Sequence, residues 1–348
     1  MLLEGLYLPL TTPFYPDGSL NLRKLEHNAD RYSRTPAAGF AVLSEVGEPT
    51  MLSDEETKQT LRSAMDATAD EKVMLAGVSR DSVKETLSLV EFAANAGYDA
   101  VLVRQPSFLR EGKRPKELLT YFRAVADRSA VPVVLYSPDG LLPVESVVEL
   151  AGHPQILGLV DGGRGSERIE VVKAGTAAAK REVTVTTVFA AATGRMLVQK
   201  EAAGAGTFIA ADTLTDGGAA LAVAPPKPAI KTRTKVVGFQ VLTSNTGEML
   251  DGLRAGAVGA MPGFAACAPQ ACYEVLAAWK DGDSGLALEK QARLQAAVER
   301  VEDALGVPGI RFGCDLNGYF GGRPRLPLLP PDGDERAEIE ALMRGIRH

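Results

Sequence analysis

The chain has few of the residues that metal centres and disulfide scaffolds require. Its 348 residues include only three histidines and three cysteines. Cys267, Cys272 and Cys314 are odd in number and lack CxxC spacing, which argues against a disulfide framework and against a zinc site. We expect buried, reduced thiols, no metal and no cofactor. Only an all-oxygen Mg²⁺ or Ca²⁺ site would suit this composition, and no motif points to one.

The sequence also lacks a surplus of positive charge and a long apolar run. Lysine and arginine number 38 against 44 acidic residues, so the formal net charge is −6, which disfavours binding to nucleic acid or to an anionic membrane. No segment reaches the ~18 apolar residues that span a bilayer. Residues 1–5 lack a basic stretch followed by an apolar one. We therefore expect a cytoplasmic protein with no nucleic-acid or membrane partner.

Short apolar runs alternate with stretches of helical periodicity along most of the chain. The runs are rich in Val, Leu and Ala on both faces, which is typical of parallel strands between a core and a layer of helices. Eight such units predict an α/β protein with a closed (β/α)₈ TIM barrel. A doubly wound open sheet is the alternative, although no GxGxxG follows the first run. The predicted strands are residues 6–9, 40–43, 73–77, 100–103, 133–136, 157–161, 236–242 and 258–261.

The connection between the sixth and seventh predicted strands is far too long for one helix. The excess covers about residues 175–234. It opens with a strand-like run at 182–188, continues through an alanine-rich helical stretch, and ends in 224–234, which is typical of an extended linker. A loop of this length is usually either a functional cover or disordered. We predict a barrel over 1–268, interrupted by this insertion, and a helical C-terminal extension over 269–348.

The helices of the extension are predicted at residues 269–280, 286–305 and 334–344, and a segment rich in glycine and proline precedes the last one. The extension is expected to pack on the barrel or against a partner subunit.

A series of short motifs runs along the chain outside the insertion. They are Thr12-Pro13-Phe14 with Asp17-Gly18-Ser19, residues 44–48 with 52–56, Ala76-Gly77-Val78, residues 96–103, 132–136 and 256–260, and Gly322-Arg323-Pro324 with Leu326-Pro327-Leu328. In this order and spacing they resemble the dihydrodipicolinate synthase/N-acetylneuraminate lyase family. The resemblance implies a (β/α)₈ barrel, lyase chemistry on a small-molecule substrate, and a homo-oligomer, either a dimer or a tetramer.

The resemblance extends to the fold more than to the chemistry. In the family, a lysine at the end of the sixth strand forms an imine with a 2-oxo acid, which permits carbon–carbon bonds to be made or broken. Val160 occupies that position here and cannot act as a nucleophile. Glu45 and Val46 replace the paired threonines that hold the substrate carboxylate, and an ionised glutamate would repel that group. These changes predict a divergent member without ordinary pyruvate-dependent aldolase activity.

One catalytic position of the family is retained. Tyr136 closes the fifth predicted strand, where the resemblance implies a tyrosine that relays protons and orients the substrate carbonyl. The arginine that usually follows is absent from residues 139–142. Pro106-Ser107-Phe108 stands where the family has a second tyrosine, donated across a subunit interface. The alternative for Tyr136 is a core residue with a hydrogen-bonded hydroxyl.

Active sites in these barrels lie at the carboxyl ends of the strands, which nominates a set of side chains. Glu45 and Asp161 are candidates for an acid/base pair, because burial and like charge raise the pKa of one carboxyl group. Either one could instead belong to a structural ion pair, for instance with Arg104 or Arg164. The candidate catalytic residues are Tyr136, Glu45 and Asp161, and the candidate substrate-binding residues are Ser44, Val46, Arg104, Gln105, Val160, Arg164, Thr243, Ser244 and Asn245.

Two further features leave alternatives open. Residues 162–165 either bind an anion through backbone N–H groups or form only a tight turn. A lysine in or beside the insertion could replace the missing one if the insertion covers the barrel mouth, although its ammonium group would have to be desolvated. These lysines are Lys180, Lys200, Lys227, Lys231 and Lys235.

The sequence therefore supports two hypotheses of function. The first is a lyase-type enzyme that acts on a small oxo or hydroxy acid-like metabolite by acid/base chemistry without a lysine imine. The second is a catalytically silent barrel that binds a small ligand or acts as an assembly partner. A pocket lined by carboxyl groups with raised pKa values would favour the first hypothesis, and a mouth plugged by the insertion would favour the second.

Overall fold

A computed structural model describes residues 1–110, 114–197 and 230–346. The strands are β1 (Gly5–Leu10), β2 (Gly39–Val42), β3 (Val73–Gly77), β4 (Ala100–Arg104), β5 (Val133–Ser137), β6 (Ile156–Asp161), β7 (Arg181–Thr186), β8 (Thr232–Val237), β9 (Gln240–Thr243) and β10 (Gly259–Ala260). Eight of them, β1 to β6 with β9 and β10, form a closed barrel of parallel neighbours. The predicted (β/α)₈ barrel is confirmed, and the open-sheet alternative is wrong.

Helices surround the barrel and continue beyond its last strand. They are α1 (Leu22–Ser33), α2 (Asp54–Asp66), α3 (Val83–Asn95), α4 (Pro115–Ala126), α5 (Val144–Ala151), α6 (Glu167–Gly175), α7 (Met249–Arg254), α8 (Pro269–Lys280), α9 (Ser284–Ala297), a π-helical segment (Val298–Ala304), α10 (Val307–Leu316) and α11 (Gly333–Met343). Local sequence fixes several of their starts. Ser53 and Glu56 form a capping box at the start of α2, and Ser82 caps α3.

The pleat of the strands divides the buried side chains into two sets. One set points into the barrel, where Leu75, Leu102, Val134 and Val160 pack together. The alternate set packs against the surrounding helices. Because the interior is filled by side chains, a ligand can bind only at an end of the barrel.

The described part of the insertion lies against the amino ends of the barrel strands, which we call the amino face. Strands β7 and β8 pair there as an antiparallel ladder. Lys235 of β8 contacts Glu4 at 2.5 Å, and Arg195 donates hydrogen bonds to the carbonyl oxygens of Thr68 and Lys72. This position follows from the topology, because a connection from a helix to the next strand reaches the amino end of that strand.

Two predicted segments of the insertion region are wrong in detail. The single strand predicted over 236–242 is divided at Gly238, so that residues 232–237 form β8 and only β9 belongs to the barrel. Residues 232–234 begin a strand instead of extending a linker, because Thr232 and Thr234 pair with Thr186 and Thr184, and β-branched residues suit a strand. The alanine-rich stretch from residue 198 onward and residues 224–229 lie outside the described residues.

The C-terminal extension contains a helix that the sequence analysis missed. Helix α10 begins in the segment rich in glycine and proline, and Pro308 lies in its first turn, where proline is tolerated. Its residue Arg311 is fully buried and pairs with Glu48 at 2.6 Å, and it also donates to the carbonyl oxygen of Thr12 at 2.6 Å. This pair joins the extension to the loops that follow β1 and β2.

The three cysteines are free and buried, as predicted. Within the described ranges, no helix is both long enough and apolar enough to cross a membrane.

Candidate active site

The turn after β2 carries the first candidate side chains to the carboxyl ends of the barrel strands, and we call this end of the barrel the mouth. Leu43 and Glu48 bracket this turn with φ values of 60° and 54°, in the left-handed region that L-residues rarely adopt. Such positions cost on the order of 1–3 kcal/mol each and persist only where the surroundings impose them. A Cβ on Gly77 would lie 2.0 Å from the Leu43 carbonyl oxygen, so glycine is required for this close approach.

Arg104, at the end of β4, joins two carboxylates from neighbouring loops. It forms a short ion pair with Glu45, and its second nitrogen contacts Asp139 at 2.6 Å. Burial opposes the charge of Arg104, but the two carboxylates outweigh that effect and raise its pKa. Burial alone would raise the pKa of Asp139. Hydrogen bonds from Arg104 and from the Leu141 N–H outweigh burial and lower it. Glu45 therefore stands in a three-residue charge network.

Tyr136 lies on the inner face of β5, directly beside this network. Its hydroxyl accepts a hydrogen bond from the Glu45 backbone N–H at 3.2 Å, and the residue is only 7% exposed. Burial, followed by the negative charge of Glu45, raises the pKa of Tyr136 well above its usual range. The hydroxyl therefore keeps its proton at neutral pH, which leaves it available as a hydrogen-bond donor.

Asp161 does not face the mouth. Val160 points into the barrel, so the next residue along the strand points out towards α6. There Arg168 donates to both carboxylate oxygens of Asp161, at 2.9 and 3.0 Å. Burial raises the pKa of Asp161, and Arg168 offsets only part of that effect. The structure thus does not bring Asp161 together with Glu45, and the ion-pair partner of Asp161 is not Arg104 or Arg164.

Two cavities open at the mouth and share Glu45, Arg104 and Tyr136. The first has a volume of about 490 Å³ and lies between the turns after β2, β3 and β4. The second has a volume of about 280 Å³ and lies between the turn after β2 and the C-terminal extension. None of the described residues that line either cavity is a lysine. Further lining residues are Ser79, Arg80, Gln105 and Arg110 in the first cavity, and Ser44, Val46, Ser244 and Glu302 in the second.

Several buried polar atoms at the mouth have no hydrogen-bond partner in the part of the chain that the structure describes. They include the Ser44 hydroxyl, both amide atoms of Gln105 and Oε2 of Glu302. Ser44 and Gln105 are 1% and 4% exposed. An unsatisfied buried polar group costs about 1–3 kcal/mol, and proteins keep such groups chiefly where water or a ligand completes them. These side chains therefore favour a polar ligand at the mouth.

Of the three predicted site residues that follow β9 or end it, only one lines a mouth cavity. Ser244 lines the second cavity. Thr243 instead faces α7, because a Cβ on Gly252 would lie 2.7 Å from its hydroxyl. The Asn245 side chain accepts a hydrogen bond from the Glu248 N–H just before α7. Asn245 thus stabilises the start of α7, Thr243 packs against the middle of that helix, and neither residue lines a mouth cavity.

The turn after β6 also departs from expectation. Arg164 is exposed and lines neither cavity, and its charge acts on Asp303 of the extension. In the possible anion site at 162–165, the Gly165 N–H already donates to Glu248 Oε2 at 2.7 Å. The geometry therefore favours the tight-turn alternative for this segment.

The lysines of the insertion region do not reach the mouth where they are described. Lys235 is paired on the amino face, Lys180 precedes β7 on the same face, and Lys231 is exposed before β8. Lys200 and Lys227 lie outside the described residues. Within the same ranges, no group of three or more His, Cys, Asp or Glu side chains is arranged to hold a metal ion.

Glu302 is a candidate that the sequence analysis missed. It lies in the π-helical segment, a distortion that occurs frequently at functional sites. Burial, more than any other influence, raises the pKa of Glu302 to about 7, while Thr246 and the N–H groups of Phe264 and Gly263 oppose the rise. The sequence offered no clear signal, because Glu302 follows no barrel strand and is one of several acids in an acidic helix.

Comparison with known proteins identifies the family. The model of the dihydrodipicolinate synthetase family matches residues 2–198. The chain belongs to the dihydrodipicolinate synthetase family. The predicted resemblance is therefore confirmed, and the closed barrel at the centre of the structure agrees with it.

Relatives in this family match either half of the chain or nearly all of it. The 4-hydroxy-tetrahydrodipicolinate synthase of Xanthomonas axonopodis pv. citri is 35% identical over 179 residues, 50% of this chain and 58% of that relative. The chain thus matches little more than half of that relative's length. The corresponding synthase of Methanothrix thermoacetophila is 26% identical over 340 residues, 98% of this chain and 96% of the relative.

Solved structures share the fold at low identity. The N-acetylneuraminate lyase of Proteus mirabilis superposes with a TM-score of 0.74 at 18% sequence identity, and the alignment covers 99% of this chain and 98% of the lyase. At this identity the likeness establishes the (β/α)₈ fold alone. Function has to be argued from the mouth.

Proposed function

We propose that the chain is a lyase-type enzyme that acts on a small oxo or hydroxy acid-like metabolite by acid/base chemistry, without an imine to lysine. The observation that carries the proposal is the shared wall of the two mouth cavities, where the Tyr136 hydroxyl lies beside the Glu45–Arg104 ion pair. Val160 fills the barrel interior at the position where the resemblance predicts the lysine.

The roles follow from the charge state of each group. Glu45, held as an ion pair by Arg104, is the base that takes a proton from the substrate. Tyr136 keeps its proton, so it donates a hydrogen bond to a substrate oxygen and orients it. Asp161 has no role at the reacting centre, because Arg168 binds it on the outer side of β6.

The class of substrate is supported by the groups that lack partners and by the relatives. Ser44 and Gln105 offer a hydroxyl and an amide that suit the oxygens of a hydroxy or oxo acid. The relatives named above are a synthase of 4-hydroxy-tetrahydrodipicolinate and a lyase of N-acetylneuraminate, and both names denote small acids. The combined size of the two cavities suits a small metabolite.

Assembly and location form a second part of the proposal. Phe108, which stands where the resemblance places a tyrosine donated across a subunit interface, is 65% exposed. An exposed aromatic side chain beside the mouth suits contact with a second copy of the chain. We propose a cytoplasmic homo-oligomer, and sedimentation velocity would distinguish a dimer or tetramer from a monomer.

The test combines proton exchange with imine trapping. The protein is incubated in D₂O with pyruvate, 2-oxobutanoate and 2-oxoglutarate, and loss of the C3 proton signals is followed by NMR. Parallel samples are treated with borohydride and read by intact mass, with a lysine-bearing family member as positive control. We expect exchange with at least one acid and no covalent adduct, because Glu45 abstracts the proton without an imine.

Two results would contradict the proposal in different ways. A borohydride-stable adduct mapped to a lysine would restore imine catalysis. Absence of exchange with every acid, in folded protein, would favour the catalytically silent barrel that binds a ligand or an assembly partner.

A further inference from the structure

The second mouth cavity contains a carboxyl group that the chemistry described above does not use. Glu302 reaches this cavity from the C-terminal extension, opposite the strand ends that supply Glu45 and Tyr136. Its Oε1 lies against the turn after β10, where a Cβ on Gly263 would come within 2.4 Å of it. Glycine at that position therefore allows the carboxyl group to approach the backbone.

In the described part of the chain, the carboxyl group of Glu302 has no cationic partner, and the backbone N–H groups of Phe264 and Gly263 offset only part of the effect of burial on its pKa. None of the ion pairs among the described residues includes it, and Oε2 makes no hydrogen bond there. Thr246 is near enough to lower the pKa of Glu302, yet its hydroxyl completes no hydrogen bond. A structural glutamate at this depth would normally be paired.

The titratable groups around Glu302 include acids, thiols and one arginine that is already paired. Asp303 on the same segment raises the pKa of Glu302, and the thiols of Cys267 and Cys272 lie close enough for Glu302 to act on their own pKa values. Across the cavity stand Arg104 and Glu45, already paired with each other. Arg164 acts on the neighbouring Asp303, and no cation in the described ranges is among the groups that shift the pKa of Glu302.

The geometry points to Glu302 as the general acid that protonates the carbonyl oxygen of the substrate, in place of the electrophile that a lysine imine would supply. This inference rests on the proposed function and adds a residue to it. It makes the second cavity the place where the 2-oxo group is bound, between the Tyr136 hydroxyl and the Glu302 carboxyl group.

The proton and electron balance of the step can be written in full. Glu45 removes the proton from C3 of the 2-oxo acid, and the C–H electron pair forms the C2–C3 double bond. The electrons of the C2–O double bond move onto oxygen, which takes the Glu302 proton. The products are a neutral enol, a protonated Glu45 and an ionised Glu302. In the reverse step C3 takes a deuteron from the solvent-exchanged Glu45 and the enol oxygen returns its proton to Glu302, so the 2-oxo acid carries one deuterium.

The protonation state of Glu302 suits this role. Its pKa of about 7 leaves much of the group neutral near neutral pH. A carboxylic acid kept neutral by its surroundings can donate to a developing oxyanion, as in the oxyanion hole of ketosteroid isomerase. General acid catalysis is most effective when the pKa lies near the working pH.

The test compares Glu302→Gln with the wild type and with Glu299→Gln, a matched control one turn earlier whose side chain is exposed. Deuterium exchange into pyruvate and 2-oxobutanoate is measured across the neutral pH range. We expect Glu302→Gln to lower the exchange rate by about 100-fold or more. The wild-type rate should fall above about pH 7, and this fall should disappear in Glu302→Gln while Glu299→Gln behaves as wild type.

Each other outcome has a defined meaning. If the wild type exchanges protons and Glu302→Gln matches its rate and pH profile, this inference is wrong and the proposed function stands. If the wild type itself exchanges nothing, the proposed function fails and the inference falls with it. Should Glu302→Gln not fold, Glu302→Met, which also lacks a carboxyl group, serves instead, and a wild-type rate in that variant would overturn the role of Glu302.

Discussion

The two ends of the barrel differ in how completely their polar side chains are satisfied. At the amino face, Arg195 leaves one nitrogen without a partner but uses its other two on backbone carbonyl oxygens, and Lys72 donates to two more. At the mouth, neither amide atom of Gln105 and no polar atom of the Ser44 side chain has a partner in the described structure. The same eight strands run from one end to the other, so the difference in hydrogen-bond satisfaction comes from the loops at each end.

This contrast separates stability from function within one fold. Loops at the amino face bind the barrel together, and the described part of the insertion adds to them. Loops at the mouth hold polar groups unpaired at a cost in stability, which proteins accept at sites that bind ligands. Substitutions at the two ends should therefore have different consequences, and the following experiments test that contrast.

The largest effect is expected where the mouth is held by a buried ion pair. Arg311→Ala would leave Glu48 buried without its counter-charge, so we expect a loss of about 3–5 kcal/mol in the free energy of unfolding. Urea denaturation measures this loss. Arg34→Ala, which removes an exposed pair with Asp30, is the control and should cost less than about 1 kcal/mol. Equal effects of the two variants would show that the buried pair does not hold the mouth.

The next effect is a dependence of stability on pH. The pKa of Glu302 is about 7 in the folded chain against 4.5 for a free carboxyl group, so the folded state binds the proton more tightly. Its contribution is present below pH 4.5 and is lost as pH rises through about 7, by at most about 3 kcal/mol. Glu302→Gln should remove this loss. The measurement is urea denaturation of both proteins on either side of this window, and a parallel decline in both would contradict the assignment.

Tyrosines at the two ends allow a matched comparison of activity. Tyr136→Phe removes the hydroxyl that contacts the Glu45 N–H, so we expect the deuterium-exchange rate to fall by about 100-fold. Tyr98→Phe removes a buried hydroxyl that donates to the Leu61 carbonyl oxygen, away from both mouth cavities. It should lower stability by about 1 kcal/mol and leave exchange unchanged. Similar exchange rates in the two variants would remove Tyr136 from the mechanism.

The smallest effects are expected at the amino face. Arg195→Ala removes hydrogen bonds to two carbonyl oxygens and should cost about 1–3 kcal/mol of stability. Lys235→Ala removes a partly exposed ion pair and should cost less than about 1 kcal/mol. Neither variant should alter deuterium exchange. A loss of exchange in either one, with the fold intact by circular dichroism, would show that the two ends are coupled.

The fold could be predicted from the sequence because almost every barrel strand is a short, wholly buried apolar run. The pattern failed at residues 232–237, where a strand lies outside the barrel with Val236 60% exposed. It failed again at α10, because proline and glycine suggested a loop and only the partners of Arg311 show why a helix is stable there. Both failures depend on contacts between residues far apart in the chain.

The candidate site could be predicted in part. The rule that active residues follow barrel strands nominated Glu45, Arg104 and Tyr136, and the structure places these three side chains on one wall shared by the two cavities. The sequence analysis placed Asp161 at the mouth, but its side chain points out of the barrel. The alternation of side chains along β6 would have predicted this, because Val160 points inward and the next residue must point outward. Glu302 could not be inferred, because the extension that carries it has no fixed position relative to the barrel until both are folded.

The ion pair between Arg311 and Glu48 joins residues 263 positions apart in the chain. During synthesis, the first four barrel strands leave the ribosome long before α10 is made. Glu48 then has no Arg311 to neutralise its charge. Domains fold as units from the amino end onward, so the loop after β2 must stay hydrated until the extension arrives. A nascent or truncated chain that contains every barrel strand but ends before α10 therefore still lacks the counter-charge of Glu48 at the mouth.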